Sequence, residues 1–208
     1  MALDKNTKVQ KLFIDYPNIG EILRPLSLEF VVNEDITVED IANEANLENG
    51  ALVNDLQLFI EDEAVTNYVN HTPQDLSKTV HDRYIEDFKD ELPVLHEYVK
   101  KVSDKILKDE NVHQAFDQLK EKVEAYVNFL EDTVHPLIED RKPSDVYDAD
   151  LQKKEVEIID DLYTVKRLTN EYNSDNTNSE VSFVYKRFER LEKQVTEMIT
   201  LENLIRKQ

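Results

Sequence analysis

Four polar residues on helical stripes that are otherwise apolar are the side chains in this sequence that could do chemistry. Tyr126, Glu155 and Glu202 each fall where residues recur at steps of three and four, the period of a helix with one buried face. His81 directly follows Val80, which lies on such a stripe, and is therefore near the same inner face. A buried polar group costs about 1–3 kcal/mol unless it is bonded, so these four residues need partners.

Carboxylate, imidazole and phenol groups in this arrangement allow two kinds of chemistry. In the first interpretation the four side chains satisfy one another without metal, or reach solvent at the edge of the bundle. If Tyr126 packs between Glu155 and His81, we expect its hydroxyl to donate to the carboxylate. In the second, His81, Glu155 and Glu202 bind a single iron, zinc or manganese ion. Helical bundles hold metals in this way, with carboxylates and imidazoles that project inward from facing helices.

The other histidines are interpreted as surface residues. His71, His96 and His113 fall on polar faces, where we expect them to be solvated. Glu131 and His135 have the i, i+4 spacing of a metal-binding pair. Because Glu131 is one residue off the apolar stripe, the pair is predicted to lie at the surface.

Four long apolar stripes predict the helices that position these residues. They cover residues 73–107, 111–140, 148–172 and 181–205. The first opens with Thr72 and Pro73, a cap followed by proline as at many helix starts. The second repeats apolar residues from Val112 to Leu137 at alternating steps of four and three. Four such helices joined by short loops predict an up-down-up-down four-helix bundle over residues 73–208.

A small helical domain is predicted before this bundle, over residues 1–61. Short apolar patterns indicate helices at 9–16, 17–26, 38–45 and 50–61, each too short to be stable without packing on other elements. The segment SLEFVVNEDIT is predicted to be a loop that exposes Val31 and Val32. Residues 62–72 show no periodicity and are predicted to be a linker.

Composition favours an all-α protein and excludes several classes of function. The 208 residues include 2 Gly and 6 Pro, too few turn residues for a sheet, and they contain no glycine-rich nucleotide-binding motif. With Cys 0 there is no disulfide and no cysteine nucleophile. The net charge of −20 disfavours nucleic acid and anionic membranes, and it favours solubility or a docking face for a basic partner. Without a signal peptide or an apolar spanning run, we expect a cytoplasmic protein.

Several stretches occur in an order shared with a known family. They are DYPNIGEILRPLSLEF and ITVEDIANEANL in the N-terminal part, then VHDRYIEDFKDELPVL, VEAYVNFLEDTVHPLI, DLYTVKRLTNEY and TLENLI. By their order and spacing the chain resembles, over nearly its whole length, the iron-sulfur cluster repair di-iron proteins. In that family a small N-terminal domain precedes a hemerythrin-like bundle.

The resemblance implies a two-iron site and a cysteine pair, and this chain departs from both. The cysteine pair corresponds to Val31 and Val32. Of the positions that bind iron in the family, His81, Glu155 and Glu202 keep side chains able to bind metal. The other ligand positions are occupied by Ile106, Tyr126, Leu130 and Met198. We therefore expect packing to replace coordination, and no bound cofactor.

The leading hypothesis is a divergent, metal-poor relative of the cluster repair proteins that acts in a stress response. It would have no catalytic residues and would bind another protein or itself, since the resemblance implies a homodimer formed through the N-terminal domain. The alternative hypothesis is a residual mononuclear or di-iron site that keeps a role in cluster repair. A further alternative is a core cavity, lined by Tyr126, Leu130 and Met198, that accepts a small apolar ligand.

Overall fold

A computed structural model describes residues 3–48, 50–61, 67–107, 110–174 and 178–208, and these residues form eight helices and no strand. The prediction of an all-α protein is confirmed. Within the described part of the chain, no helix is both long and apolar enough to cross a membrane.

The first four helices are short. They are α1 (Val9–Asp15), α2 (Gly20–Leu23), α3 (Val38–Glu44) and α4 (Ala51–Glu61). Thr37 caps α3, because its hydroxyl accepts from the backbone N–H of Asp40 and its own N–H donates to the Asp40 carboxylate. Such caps, together with apolar faces that pack on the core, stabilise helices too short to form alone.

Val31 is not exposed, contrary to the prediction. A 3₁₀ turn at Glu29–Val31 places its side chain in the core with 0% exposure, and Val32 is half-buried. The carbonyl oxygen of Val31 accepts hydrogen bonds from Gln10 Nε2 at 3.1 Å and from Asn203 Nδ2 at 2.7 Å. The segment between α2 and α3 is therefore a packed turn that fastens the N-terminal part to the last helix.

Four long helices follow. They are α5 (residues 73–107), α6 (residues 110–139), α7 (Asp148–Leu168) and α8 (Ser179–Arg206). Thr72 caps α5, in agreement with the predicted helix start, because its hydroxyl accepts from the backbone N–H of Asp75 and its own N–H donates to the Asp75 carboxylate. α7 ends at Leu168 rather than at residue 172, because residues 170–172 have positive φ angles that a right-handed helix does not allow.

Three π turns interrupt the regular winding of α5 and α6, and one of them forms the end of α5 as the structure describes it. They lie at His81–Ile85 and Ser103–Leu107 in α5 and at Leu130–Val134 in α6. A π turn is one wider turn, rare in proteins and frequent at functional sites. Residues that follow the π turns at His81–Ile85 and Leu130–Val134 therefore face a different direction from the one that a regular helix would give them.

The long helices pack side by side and share their core with the N-terminal segment. α5 contacts α6 and α8, α6 contacts α7, and α7 contacts α8, while α1 packs against α8. One apolar cluster contains buried residues from all of these helices. The predicted linker at 62–72 falls partly outside the described residues, at 62–66, and residues 67–70 form a 3₁₀ turn. The boundary between an N-terminal domain and the long helices stays a prediction.

Candidate functional site

The polar residues of the core form a hydrogen-bonded network around Glu155. Tyr126, which is fully buried, donates its hydroxyl to Glu155 Oε1 at 3.0 Å, as predicted. Arg206, the last residue of α8, donates from Nη2 to Glu155 Oε2 at 2.8 Å, and its Nη1 lies 3.3 Å from Asp148 Oδ1. Both oxygens of this buried carboxylate have a donor, and a cation lies beside it.

Burial has the largest effect on the electrostatics of this network. It raises the pKa of Glu155 from 4.5 to about 7 against the opposing effect of Arg206, and the charge of Glu202 adds to the increase. Burial, with the charges of Glu155 and Glu202, also raises the pKa of Tyr126 well above its usual value. For Arg206, burial has the largest single effect and favours the neutral form, but the interactions with Glu155, Tyr126 and Asp148 together outweigh it and raise the pKa. At neutral pH, Tyr126 is therefore a neutral donor and Arg206 a cation.

Glu202 is fully buried near this network and pairs with His135. His135 Nε2 lies 3.1 Å from Glu202 Oε1, and His135 is 8% exposed. The prediction of a surface pair is therefore wrong for His135, which directly follows the π turn at Leu130–Val134 and points into the core. The other oxygen of Glu202, Oε2, is buried and has no hydrogen-bond partner among the residues that the structure describes.

His81 does not join the core network. Its side chain is 39% exposed, its Nε2 lies 3.5 Å from Glu131 Oε1, and it lines a surface pocket together with His135. The three candidate metal ligands His81, Glu155 and Glu202 are consequently not brought together, because their donor atoms do not all lie within 4.8 Å of one another. His135, and not His81, is the imidazole that reaches Glu202.

Apolar side chains fill most of the other positions that the resemblance assigns to ligands. Leu130 and Met198 are fully buried, and Ile106 is half-buried. At the positions of the cysteine pair, Val31 is fully buried and Val32 half-buried. Burying a side chain of this size contributes about 1.5–3 kcal/mol, so these positions stabilise the helices by packing.

Two residues of the network, Arg206 and His135, were not identified as functional from the sequence. Arg206 follows Glu202 by four residues, a spacing that places a cation on the same helical face as a carboxylate. That spacing, on a stripe predicted to be buried, is the signal that could have identified it. No comparable signal exists for His135, because the preceding π turn breaks the period on which the prediction rests.

A second buried ion pair joins α7 to α8 and to the N-terminal segment. Lys166 Nζ donates to Glu192 Oε1 at 3.3 Å and to the carbonyl oxygen of Arg24 at 2.7 Å. Tyr172 donates its hydroxyl to Glu192 Oε2 at 2.8 Å. Burial raises the pKa of Glu192, and Lys166 opposes that increase. Because both oxygens of Glu192 accept hydrogen bonds from the chain itself, this network is structural.

No model of a known protein family matches this chain, and no curated protein matches it. The geometry of the core and of the surface is therefore the basis on which a function can be proposed.

Proposed function

We propose that this protein is a divergent, metal-poor relative of the iron-sulfur cluster repair di-iron proteins and that it acts by binding another protein. In this proposal residues 73–208 form a hemerythrin-like, up-down-up-down four-helix bundle, residues 1–61 form the small N-terminal domain, and the protein acts in a cytoplasmic stress response. The observation that carries the proposal is the network around Glu155. Tyr126 and Arg206 occupy both oxygens of a carboxylate that the resemblance assigns to iron binding.

The positions of the π turns support this relationship. The turns contain His81, Ile106 and Leu130, three positions that the resemblance assigns to metal ligands. π turns are frequent at functional sites. Two of the three positions carry apolar side chains, which fits a former metal site whose ligands have been replaced by packing.

The donors of the core do not fit a pair of irons. A two-metal centre in a helical bundle uses several carboxylates and imidazoles. Among the described buried residues, His135 is the one imidazole, and it is paired with Glu202. The guanidinium of Arg206 lies against Glu155 and would repel a metal ion there. The charge of Glu155 is thus neutralised by the chain itself.

A second candidate function is a single iron, zinc or manganese ion at Glu202, with a residual role in cluster repair. It is favoured by Glu202 Oε2, a buried carboxylate oxygen without a hydrogen-bond partner in the described part of the chain. Such an unsatisfied atom in a native structure calls for an explanation, and an ion is one of them. In this alternative His135 replaces His81 as the imidazole ligand.

Metal analysis of the purified full chain tests both candidates. We expect far less than one iron per chain, because the Glu155 network is complete without it. About two irons per chain would contradict the proposal. One ion per chain that is lost in Glu202→Gln and kept in the surface control Glu131→Gln would support the second candidate.

The surface offers a defined face for a protein partner. Val94, Tyr98 and Phe183 are 56%, 44% and 40% exposed and form an apolar patch between α5 and α8, with the two aromatic rings 5.2 Å apart. Asp87 and Asp90 lie at the edge of this patch, and the net charge of −20 attracts cations at longer range. A helix that presents apolar side chains flanked by Lys or Arg therefore fits the patch.

Binding of a synthetic amphipathic helix, with a lysine-rich polar face and one tryptophan, tests this patch. The protein has Trp 0, so tryptophan anisotropy reports the peptide alone. We expect Tyr98→Ser with Phe183→Ser to weaken binding at least about tenfold, because aromatic anchors dominate interface energies.

The matched control for the patch is Leu58→Ser on α4, which removes a side chain that is 67% exposed and lies elsewhere. It should bind the peptide as the unmodified chain does. The assignment of the patch as a binding face would be contradicted if the control and the double variant lost peptide binding equally, or if the unmodified chain did not bind the peptide. The peptide titration uses protein that sediments as a single species. This matters because the resemblance also implies a homodimer formed through the N-terminal domain.

A further inference from the structure

Two histidines and an aspartate converge where α5 and α6 face each other near their connection. His96 lies on α5, and His113 and Asp117 lie one turn apart on α6. His96 Nε2 is 2.9 Å from Asp117 Oδ1, and His113 Nε2 is 3.4 Å from Asp117 Oδ2. The two imidazole rings are 5.4 Å apart. The interpretation of His96 and His113 as separately solvated residues is therefore wrong, since their side chains are 28% and 19% exposed and share one carboxylate.

The contacts within this cluster lack the geometry of hydrogen bonds. Although His96 Nε2 is 2.9 Å from Asp117 Oδ1, that oxygen is buried and has no hydrogen-bond partner in the part of the chain that the structure describes. His113 Nε2 is likewise buried and unpartnered there. Buried polar atoms without a partner in a native structure call for an explanation, and a bound ion is one of them.

The spacing of the three donors matches a coordination site. One donor atom of each residue lies within 4.8 Å of the other two. In a tetrahedral zinc site with bonds of about 2.0–2.1 Å, neighbouring ligand atoms are about 3.4 Å apart. His96 Nε2 lies 2.9 Å from Oδ1 of Asp117 and His113 Nε2 lies 3.4 Å from Oδ2, so each imidazole has one oxygen of this carboxylate near that spacing.

We propose that His96, His113 and Asp117 form a binding site for zinc(II) or a similar divalent transition metal. Two imidazoles and one carboxylate suit zinc and its first-row neighbours, whereas magnesium and calcium prefer oxygen ligands. Three protein ligands leave a fourth position for water. His96 Nδ1 lies 3.5 Å from Glu97 Oε1, where a carboxylate can orient a ligating imidazole.

This site is separate from the polar core, and an ion bound to it would affect the stability of the chain independently of the core. Asp117 precedes Tyr126 by nine residues on α6, a distance of about 13 Å along the helix. An ion bound here joins α5 to α6 and stabilises the folded chain, because metal that binds the native state shifts the unfolding equilibrium. The cluster can therefore hold a metal whether or not the core does.

Titration of the EDTA-treated full chain with zinc chloride tests the proposal. We expect one zinc per chain by calorimetry, tetrahedral-type absorption when cobalt(II) replaces zinc, and a melting temperature that rises with zinc but not with magnesium. His113→Ala and Asp117→Asn should each weaken zinc binding by more than about 100-fold, since loss of an outer-shell partner alone costs about 10–100-fold.

Two further variants make the outcome decisive. His71→Ala removes an exposed histidine outside the cluster and should bind zinc as the unmodified chain does. Circular dichroism of each variant in EDTA shows whether it is folded. Zinc binding that survives Glu202→Gln and is lost in His113→Ala assigns the ion to this cluster. The proposal would be overturned if the unmodified chain bound no zinc or if zinc binding were unchanged in both cluster variants. It would also be overturned if zinc binding were lost in Glu202→Gln and kept in His113→Ala.

Discussion

Replacing Arg206 with methionine is expected to lower the free energy of unfolding by about 2–3 kcal/mol at pH 8, because Glu155 loses a charge-assisted hydrogen bond and must take up a proton about one pH unit above its folded pKa of about 7. Glu155 is 1% exposed, and Arg206 Nη2 lies 2.8 Å from its Oε2. Methionine keeps most of the length and apolar contact of the arginine side chain, so the lost charge dominates the result. Urea denaturation at pH 8 measures it, since Glu155 is mostly ionised there.

Two controls separate the lost charge from lost packing. Arg190→Met removes the exposed partner of Asp87, and pairs of that kind contribute about 0–1 kcal/mol. The double variant Glu155→Gln with Arg206→Met contains neither charge and should recover much of the stability, because replacing a whole buried pair is often nearly neutral. If Arg206→Met costs no more than Arg190→Met, Arg206 is not the counterion that the Glu155 network requires.

The unmodified chain is expected to lose about 2.5 kcal/mol more stability than Glu155→Gln between pH 5 and pH 8. The folded pKa of Glu155 is raised from 4.5 to about 7, chiefly by burial. Within this range the folded state binds a proton that the unfolded state has released, so the free energy of unfolding falls as the pH rises. The full difference between the two pKa values corresponds to about 3 kcal/mol, and most of it falls between pH 5 and pH 8.

Comparing the unmodified chain with Glu155→Gln isolates the titration of the Glu155 carboxyl group. Asp40 and Asp75 have lowered pKa values because of hydrogen bonds from Thr37 and Thr72, and they contribute equally to both proteins. Urea denaturation at several pH values between 5 and 8 gives the two curves. Parallel curves would show that Glu155 does not titrate in this range, and a larger loss in Glu155→Gln would reverse the expected sign.

Several features of the site could be predicted from the sequence because they depend on local spacing. Tyr126 and Glu155 each lie on an apolar stripe, and a buried phenol and carboxylate on facing helices have few other partners. Their hydrogen bond was therefore predictable. His81 was placed near the same interior because it follows Val80, but one residue rotates a side chain by about 100° around a helix. That rotation exposes 39% of its side chain.

The sequence by itself determined that the chain is helical, where its caps lie, and which stripes are buried. Each of these follows from local period and backbone chemistry. Only the tertiary structure decided that Arg206 neutralises Glu155, that His135 reaches Glu202, and that His96 meets Asp117. Those pairings depend on how helices rotate and pack against one another, and on π turns that shift one face relative to the next. The helical period defines the faces of one helix, whereas the partner across the interface is fixed by packing.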